Sequence, residues 1–258
     1  MILTVNIGNT HITISTYKEG ALHFSGKLSA STASTADEYA IRLIHLLTLH
    51  QSSPQQIEGV MLASVVPALT GKLISALRML TSVRIMRVAP GLKRGRTLRL
   101  AHPALRGGVL LWGVVAAMAE GPAPMAVIFS DTALSIMGVN AQKEMVGGVI
   151  LPGPQLSMAS LVQNTAQLPQ VDLTAPAPPS VLGKNTAACL QGGLLIGTAC
   201  MLDGLAERFR AELGPDTRFY ATGNLPVTLR KACRTPILYR EHLVSDGLYR
   251  IWLRNRKP

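Results

Sequence analysis

Asn6-Ile7-Gly8-Asn9-Thr10 is the stretch on which the reading of this chain turns. An apolar run from Ile2 to Ile7 enters it, and the alternating run His11-Ile12-Thr13-Ile14-Ser15 leaves it. That pattern is strand, turn, strand. A glycine in a tight turn lets backbone N–H groups come close to a phosphate, and Asn9 and Thr10 add side-chain donors. A phosphotransferase hairpin of this kind would carry Asp at position 6, holding Mg²⁺ directly or through water. Here the residue is Asn6, neutral and a weaker ligand for a hard cation. Taken alone, a Gly-Asn turn between strands is also an ordinary hairpin.

Outward from the hairpin, a third strand follows Glu19-Gly20 over about 21–28. Asp37 can cap a helix with Ala40, Ile41, Ile44 and Leu47 at helical spacing. Gly59 to Ala63 reads as a buried strand, and Pro67 suits the first turn of a helix reaching Thr81. Val83 to Val88 is a further strand. The second half repeats the order. Strands are expected over Met125–Phe129, Thr132–Val139 and Val146–Leu151, then a helix near 154–166. After a Pro-rich loop, Asn185 or Thr186 caps a long helix through Leu213. A strand over Thr217–Thr222 and helices near 225–233 and 241–254 complete the chain. The class is α/β, with halves expected at 1–115 and 116–258.

Five further motifs follow the hairpin in order. Ser64-Val65-Val66-Pro67 runs a strand into a helix start, where packing is the simpler role. His102-Pro103-Ala104-Leu105-Arg106-Gly107-Gly108-Val109-Leu110 opens a helix with two glycines and suits an anion or a plain helix start equally. Phe129-Ser130-Asp131-Thr132-Ala133, with Gly147-Gly148 and Pro152-Gly153 beyond it, places small and hydroxyl residues at a strand-to-turn position. Gly183-Lys184-Asn185-Thr186 and Ala221-Thr222-Gly223-Asn224 follow; the last glycine suits close approach of an adenosine.

In that order the motifs resemble the type III pantothenate kinases, which read D-x-G-N-T, S-V-V-P, Y-x-N-P-x-x-x-G-A-D-R, D-x-G-T-A, G-G-x-x-x-P-G, G-K-N-T and A-T-G-G. The resemblance runs from Asn6 to Asn224. It implies a duplicated RNase-H-like fold (that of acetate and sugar kinases, Hsp70 and actin), a nucleotide cleft between the halves, and a homodimer. It implies transfer of phosphate from ATP to pantothenate, with Mg²⁺ and K⁺ or NH₄⁺. By position, it assigns ATP or phosphate contacts to Asn6, Gly8, Asn9, Thr10, Thr132 and Gly223. It assigns substrate contacts to Leu100, Gly107, Gly108, Leu110 and Thr186.

The departures fall on the acids. The family's catalytic base, an Asp, lands on Val109, and its substrate-binding Tyr and Arg land on Leu100 and Leu110. Its monovalent-cation Asp lands on Phe129, and the following glycine on Asp131. Val109 cannot accept a proton from the pantothenate hydroxyl, a loss worth about 10²–10⁴-fold in rate. Asp131 lies two residues beyond the lost acid; on a strand it would face the same side and could substitute for it.

Bulk properties frame the choice of function. Among 258 residues, 48% are apolar and only 4% aromatic, so the core is aliphatic. Lys and Arg outnumber Asp and Glu by 25 to 14, a formal +11 that favours an anionic partner. The basic residues are dispersed, which argues against nucleic acid. Cys189, Cys200 and Cys233 lack metal-ligand spacing and read as buried free thiols in a reducing cytosol. The first residues lack a signal-peptide pattern, and the apolar run Val109–Met118 is too short to span a bilayer. His11 reads as an exposed edge residue. Three functions remain open: an impaired subunit paired with an intact homologue, a stand-alone kinase that is weak or altered in substrate, and a regulator that binds nucleotide or nucleic acid without catalysis.

Overall fold

β1 (Ile2–Ile7) and β2 (His11–Lys18) pair antiparallel from Ile2↔Tyr17 to Ile7↔Ile12, so the opening pentapeptide is the hairpin its sequence predicts. The computed structural model describes residues 1–88, 110–175 and 180–256, with the backbone alone at 99–100. β3 (Ala21–Ser29) completes a meander on β2. α1 (Ala36–Leu49) is capped by Thr35 rather than Asp37: the Thr35 hydroxyl accepts from the Glu38 amide, and the Glu38 carboxylate accepts from the Thr35 amide. Its buried stripe is Tyr39, Ala40, Leu43 and Leu47, while Ile41 and Ile44 are exposed. Tyr39 sets this face, because its hydroxyl donates to the Ser31 carbonyl at 2.9 Å. β4 (Gly59–Ser64) lies parallel to β1, and α2 (Pro67–Leu80) begins with Pro67 at its first position. β5 (Ile85–Arg87) closes a sheet of order β3-β2-β1-β4-β5. Leu3, Val5, Ile7, Ile12 and Ile14 pack against α1 and α2.

The second unit repeats that plan. Its elements are β6 (Arg99–Leu100), α3 (Leu110–Glu120), β7 (Met125–Ser130), β8 (Ala133–Val139), β9 (Glu144–Pro152) and α4 (Pro154–Gln163). They continue with α5 (Thr186–Gly192), a π-helical turn Gly193–Gly197, α6 (Thr198–Leu213), β10 (Arg218–Gly223), α7 (Val227–Ala232) and β11 (Ile237–Tyr239), and the chain closes with α8 (Leu243–Asn255). The sheet order is β11-β10-β7-β8-β9-β6. Read from β9 to β11, it reproduces the first sheet: an antiparallel meander whose first strand takes a parallel strand on its other side. The helix from Thr186 to Leu213 is long and apolar enough to cross a membrane, exceeding the run at Val109. Its inward face, Leu194, Leu195, Ala199, Leu202 and Ala206, is nevertheless part of the core against Ile128 and Ile136.

Two segments lie across a division at 115/116: β6 (Arg99–Leu100) joins the second unit, and the last helix joins the first. α3 changes unit at Ala116/Ala117, but the segment from His242 onward belongs to the first unit. α8 covers the face of the first sheet opposite its core. Gly247 sits against the Trp112 carbonyl, where a Cβ has no room. The Ser15 hydroxyl meets that of Ser245 at 2.9 Å, and Tyr17 donates to Asp246 at 2.6 Å while stacking on Tyr249 at 4.2 Å. Sequence pattern could not assign this helix, since the face that receives it mixes polar Ser15 and Tyr17 with apolar Ile2 and Met61.

Burial, reinforced by the Asp246 carboxylate and its hydrogen bond, pushes the Tyr17 phenol well above the ordinary tyrosine range. A raised tyrosine contributes stability that is complete below its unfolded value, about 10, and lost as pH rises beyond it. Stability is therefore expected to fall above pH ~10 with an added slope of up to ~1.4 kcal/mol per pH unit. Urea titrations at pH 8 to 11 on wild type and Tyr17→Phe read this directly, the variant showing the shallower decline.

The cysteines depart from the sequence reading. Cys189 and Cys200 are exposed and Cys233 is half-buried. Burial, then the nearby Asp203 and Cys200, push the Cys233 thiol up to about 12. Alkylation at pH 8 should modify Cys189 and Cys200 rapidly and Cys233 only on unfolding, because the thiolate is the reactive species. Peptide mapping after iodoacetamide checks it.

Candidate active site

The first hairpin carries its polar groups at one end of the first sheet. Asn6 pairs with Thr13 on one side and Ala63 on the other, and it faces away from the aliphatic core. It is half-buried, and its Oδ1 is buried with no hydrogen-bond partner among the described residues. The Gly8 amide donates to the His11 carbonyl at 2.9 Å, so that donor closes the turn. Asn9 and Thr10 are exposed at its tip. His11 is not an edge residue: β2 lies between β1 and β3, and the ring is half-buried with Nδ1 unpartnered among the described residues. Ser64 serves the start of α2, accepting from the Val66 amide at 3.0 Å and from the Thr70 hydroxyl at 2.8 Å.

The second sheet gathers Ser130, Asp131, Thr132, Gly153, Gly223 and Asn224 at the corresponding end. The Gly153 amide donates to the Thr132 carbonyl at 3.2 Å, and the Asn224 amide to the Ser130 carbonyl at 2.5 Å. Gly223 has φ +88, and a Cβ there would strike the Ser130 carbonyl, so only glycine fits. The Ser130 hydroxyl is buried without a partner among the described residues. β7 ends at Ser130, so strand alternation does not carry Asp131 to the side of Phe129. Asp131 is exposed in the turn, whereas the Phe129 ring is 6% exposed.

Phe129 and Asn6 occupy one position of the repeated unit. Each is the penultimate residue of its meander's first strand, facing away from the core that α-helices cover. Asn6 is flanked by Thr13 and Ala63, and Phe129 by Ser135 and Thr222. A neutral amide thus stands in one sheet and an aromatic ring in the other. The orphaned Asn6 oxygen fits Mg²⁺ or its water as an uncharged ligand. Phe129 presents no lone pair where the family resemblance places the carboxylate of its monovalent-cation site.

The remaining assignments fall on other elements. Leu110 opens α3 and is half-buried, and Leu100 pairs with Met145 in β6. Gly107, Gly108 and Val109 lie outside the described residues. Gly183 to Thr186 forms a tight entry to α5: the Asn185 side chain accepts from the Ala188 amide at 2.8 Å, and Gly183 packs on the Ala188–Cys189 backbone. Thr186 is exposed beside it. Sequence reasoning missed Arg230 and Tyr239, which meet at Gly223 from α7 and β11. No local pattern announces a contact spanning 16 residues through a three-residue strand.

The sequence model described as type III pantothenate kinase matches residues 2–208. The chain belongs to this family. Among type III pantothenate kinases, that of Anaeromyxobacter dehalogenans (strain 2CP-C) is 33% identical over 99% of this chain and 100% of its own length. That of Rhodospirillum centenum is 36% identical over 89% and 85%. The fold is shared more widely. The activator of 2-hydroxyisocaproyl-CoA dehydratase from Clostridium difficile, solved with ADPNP, superposes with TM-score 0.56 at 10% identity over 97% of this chain and 94% of its own. Component A of (R)-2-hydroxyglutaryl-CoA dehydratase from Acidaminococcus fermentans gives 0.55 at 13% identity over 99% of each chain. The pantothenate kinase chain described here therefore has the duplicated RNase-H-like α/β fold of kinases and actin-like ATPases.

Proposed function

We propose that this type III pantothenate kinase chain is a catalytically impaired, cytoplasmic subunit that pairs with an intact homologue to phosphorylate pantothenate from ATP. The observation that carries the reading is the buried Phe129 ring at the position equivalent to Asn6, the two places where the family motifs carry Asp. Phosphoryl transfer depends on positioning and on neutralising charge that develops on the transferred group. Bound Mg²⁺ supplies part of that neutralisation. Asn6 would hold it without adding negative charge, and Phe129 would offer a monovalent cation no carboxylate. Val109, at the base position, takes no proton from the attacking hydroxyl. The chain's own half of the reaction then reduces to binding: Asn9, Thr10, Thr132 and Gly223 on the nucleotide side.

What remains complete is the segment Gly183-Lys184-Asn185-Thr186, which the family resemblance assigns to a neighbour-facing substrate region. A chain that retains what it lends and lacks what it alone would use is suited to a hetero-oligomer. Co-expression of a tagged version with an intact type III homologue tests the pairing. The expected result is a complex of defined stoichiometry surviving size exclusion. A homodimer alone, with the homologue recovered separately, contradicts it and favours a stand-alone role.

A further inference from the structure

The peptide joining Gly223 to Asn224 is held at both ends. Its N–H donates to the Ser130 carbonyl at 2.5 Å, and its carbonyl accepts from the Tyr239 hydroxyl at 2.6 Å. The first contact ties the turn to β7. The second ties it to β11, whose Tyr239 pairs with Ala221, two residues before Gly223. Tyr239 is itself clamped: the Arg230 guanidinium lies 3.8 Å from its ring centroid. The Arg230 Nε is buried with no acceptor among the described residues, so the ring face is the partner the structure gives it.

We propose that Tyr239, backed by Arg230, is a positioning residue for nucleotide: it fixes the plane of the Gly223–Asn224 peptide and so the glycine backbone against which an adenosine lies. Gly223 makes such a device necessary. Glycine at φ +88 has little intrinsic preference for that conformation over others, so an external hydrogen bond must select it. The phenol must remain protonated to donate. Burial and the neighbouring Glu241 raise its pKa against the opposing pull of Arg230, keeping it a donor throughout the neutral range. The inference rests on the nucleotide-binding part of the proposed function.

Calorimetric titration of the full chain with MgADP tests it, using Tyr239→Phe, Arg230→Ala and the double variant, each with a melting curve. Tyr239→Phe keeps the ring and its packing, and should weaken binding about 3- to 10-fold, the range of one lost hydrogen bond. Arg230→Ala should weaken it similarly in the wild-type background and by less than 2-fold in the Tyr239→Phe background, because it acts through that hydroxyl. A purely structural role would lower melting temperatures and leave affinity unchanged. Wild-type affinity in Tyr239→Phe, or an undiminished Arg230→Ala effect in the double variant, overturns the inference alone. Failure of wild type to bind MgADP overturns the nucleotide reading and the inference with it.

Discussion

Purified alone and supplied with ATP, Mg²⁺, K⁺ and pantothenate, the chain is expected to turn over at least ~10²-fold more slowly than the ~1–100 s⁻¹ ordinary for kinases. Removing a positioned base costs about 10²–10⁴. Removing one group that stabilises charge in the transition state costs about 10²–10³. These losses do not multiply, because the groups act as a unit. The same coupling governs repair. Val109→Asp restores a base but leaves Asn6 and Phe129 in place, and should recover no more than about tenfold. A coupled ATP-consumption assay with product verified by mass decides this. Turnover at ordinary kinase rates would show that another carboxylate, Asp131 foremost, does the work assigned to the missing ones.

Phe129→Asp should cost most of the fold's stability, whereas Asn6→Asp should cost at most about 1–2 kcal/mol. The positions are equivalent in the two sheets, but their surroundings have diverged. Phe129 is 6% exposed in a strand flanked on both sides. Truncating a buried Phe costs about 3–5 kcal/mol, and burying an unpaired carboxylate adds several more. Against a total of about 5–15 kcal/mol that is a partly or wholly unfolded protein. Asn6→Asp preserves shape, at a half-buried site whose oxygen already lacks a partner among the described residues. Urea denaturation followed by circular dichroism separates the two. Near-wild-type stability in Phe129→Asp would mean that a solvated, cation-ready pocket survives around this position, and that the loss of the acid is shallow.

Much of the fold was legible because the patterning is local. An apolar run and an alternating one meet at a glycine turn to give β1 and β2, Pro67 and Asn185 mark helix starts, and the meander-then-crossover order occurs twice. What local pattern could not reach was long-range. α8 returns to the first unit through Ser15, Tyr17 and Gly59, polar or small residues that alternation reads as solvent-facing. Thr35 displaces Asp37 as the cap because its capping box with Glu38 satisfies both ends at once. For the site, motif order identified Asn6 and Phe129, but their equivalence appears only in the strand registers. The Arg230–Tyr239–Gly223 contact was invisible, since its three residues belong to three different elements. Asp131 shows the opposite error: two-residue periodicity was extended one step past the end of β7.

The most direct test of the central claim uses the co-purified complex with an intact type III homologue, and changes this chain only. Thr186 is exposed at the entry to α5, outside the nucleotide-side residues of its own unit. If the chain lends that segment to its partner's substrate pocket, Thr186→Ala in this chain should raise the complex's KM for pantothenate about 3- to 10-fold with kcat little changed, the loss of one hydrogen bond made equally in ground and transition states. An unchanged KM together with full activity would contradict the account, leaving this chain a passenger in the complex rather than a contributor to its site.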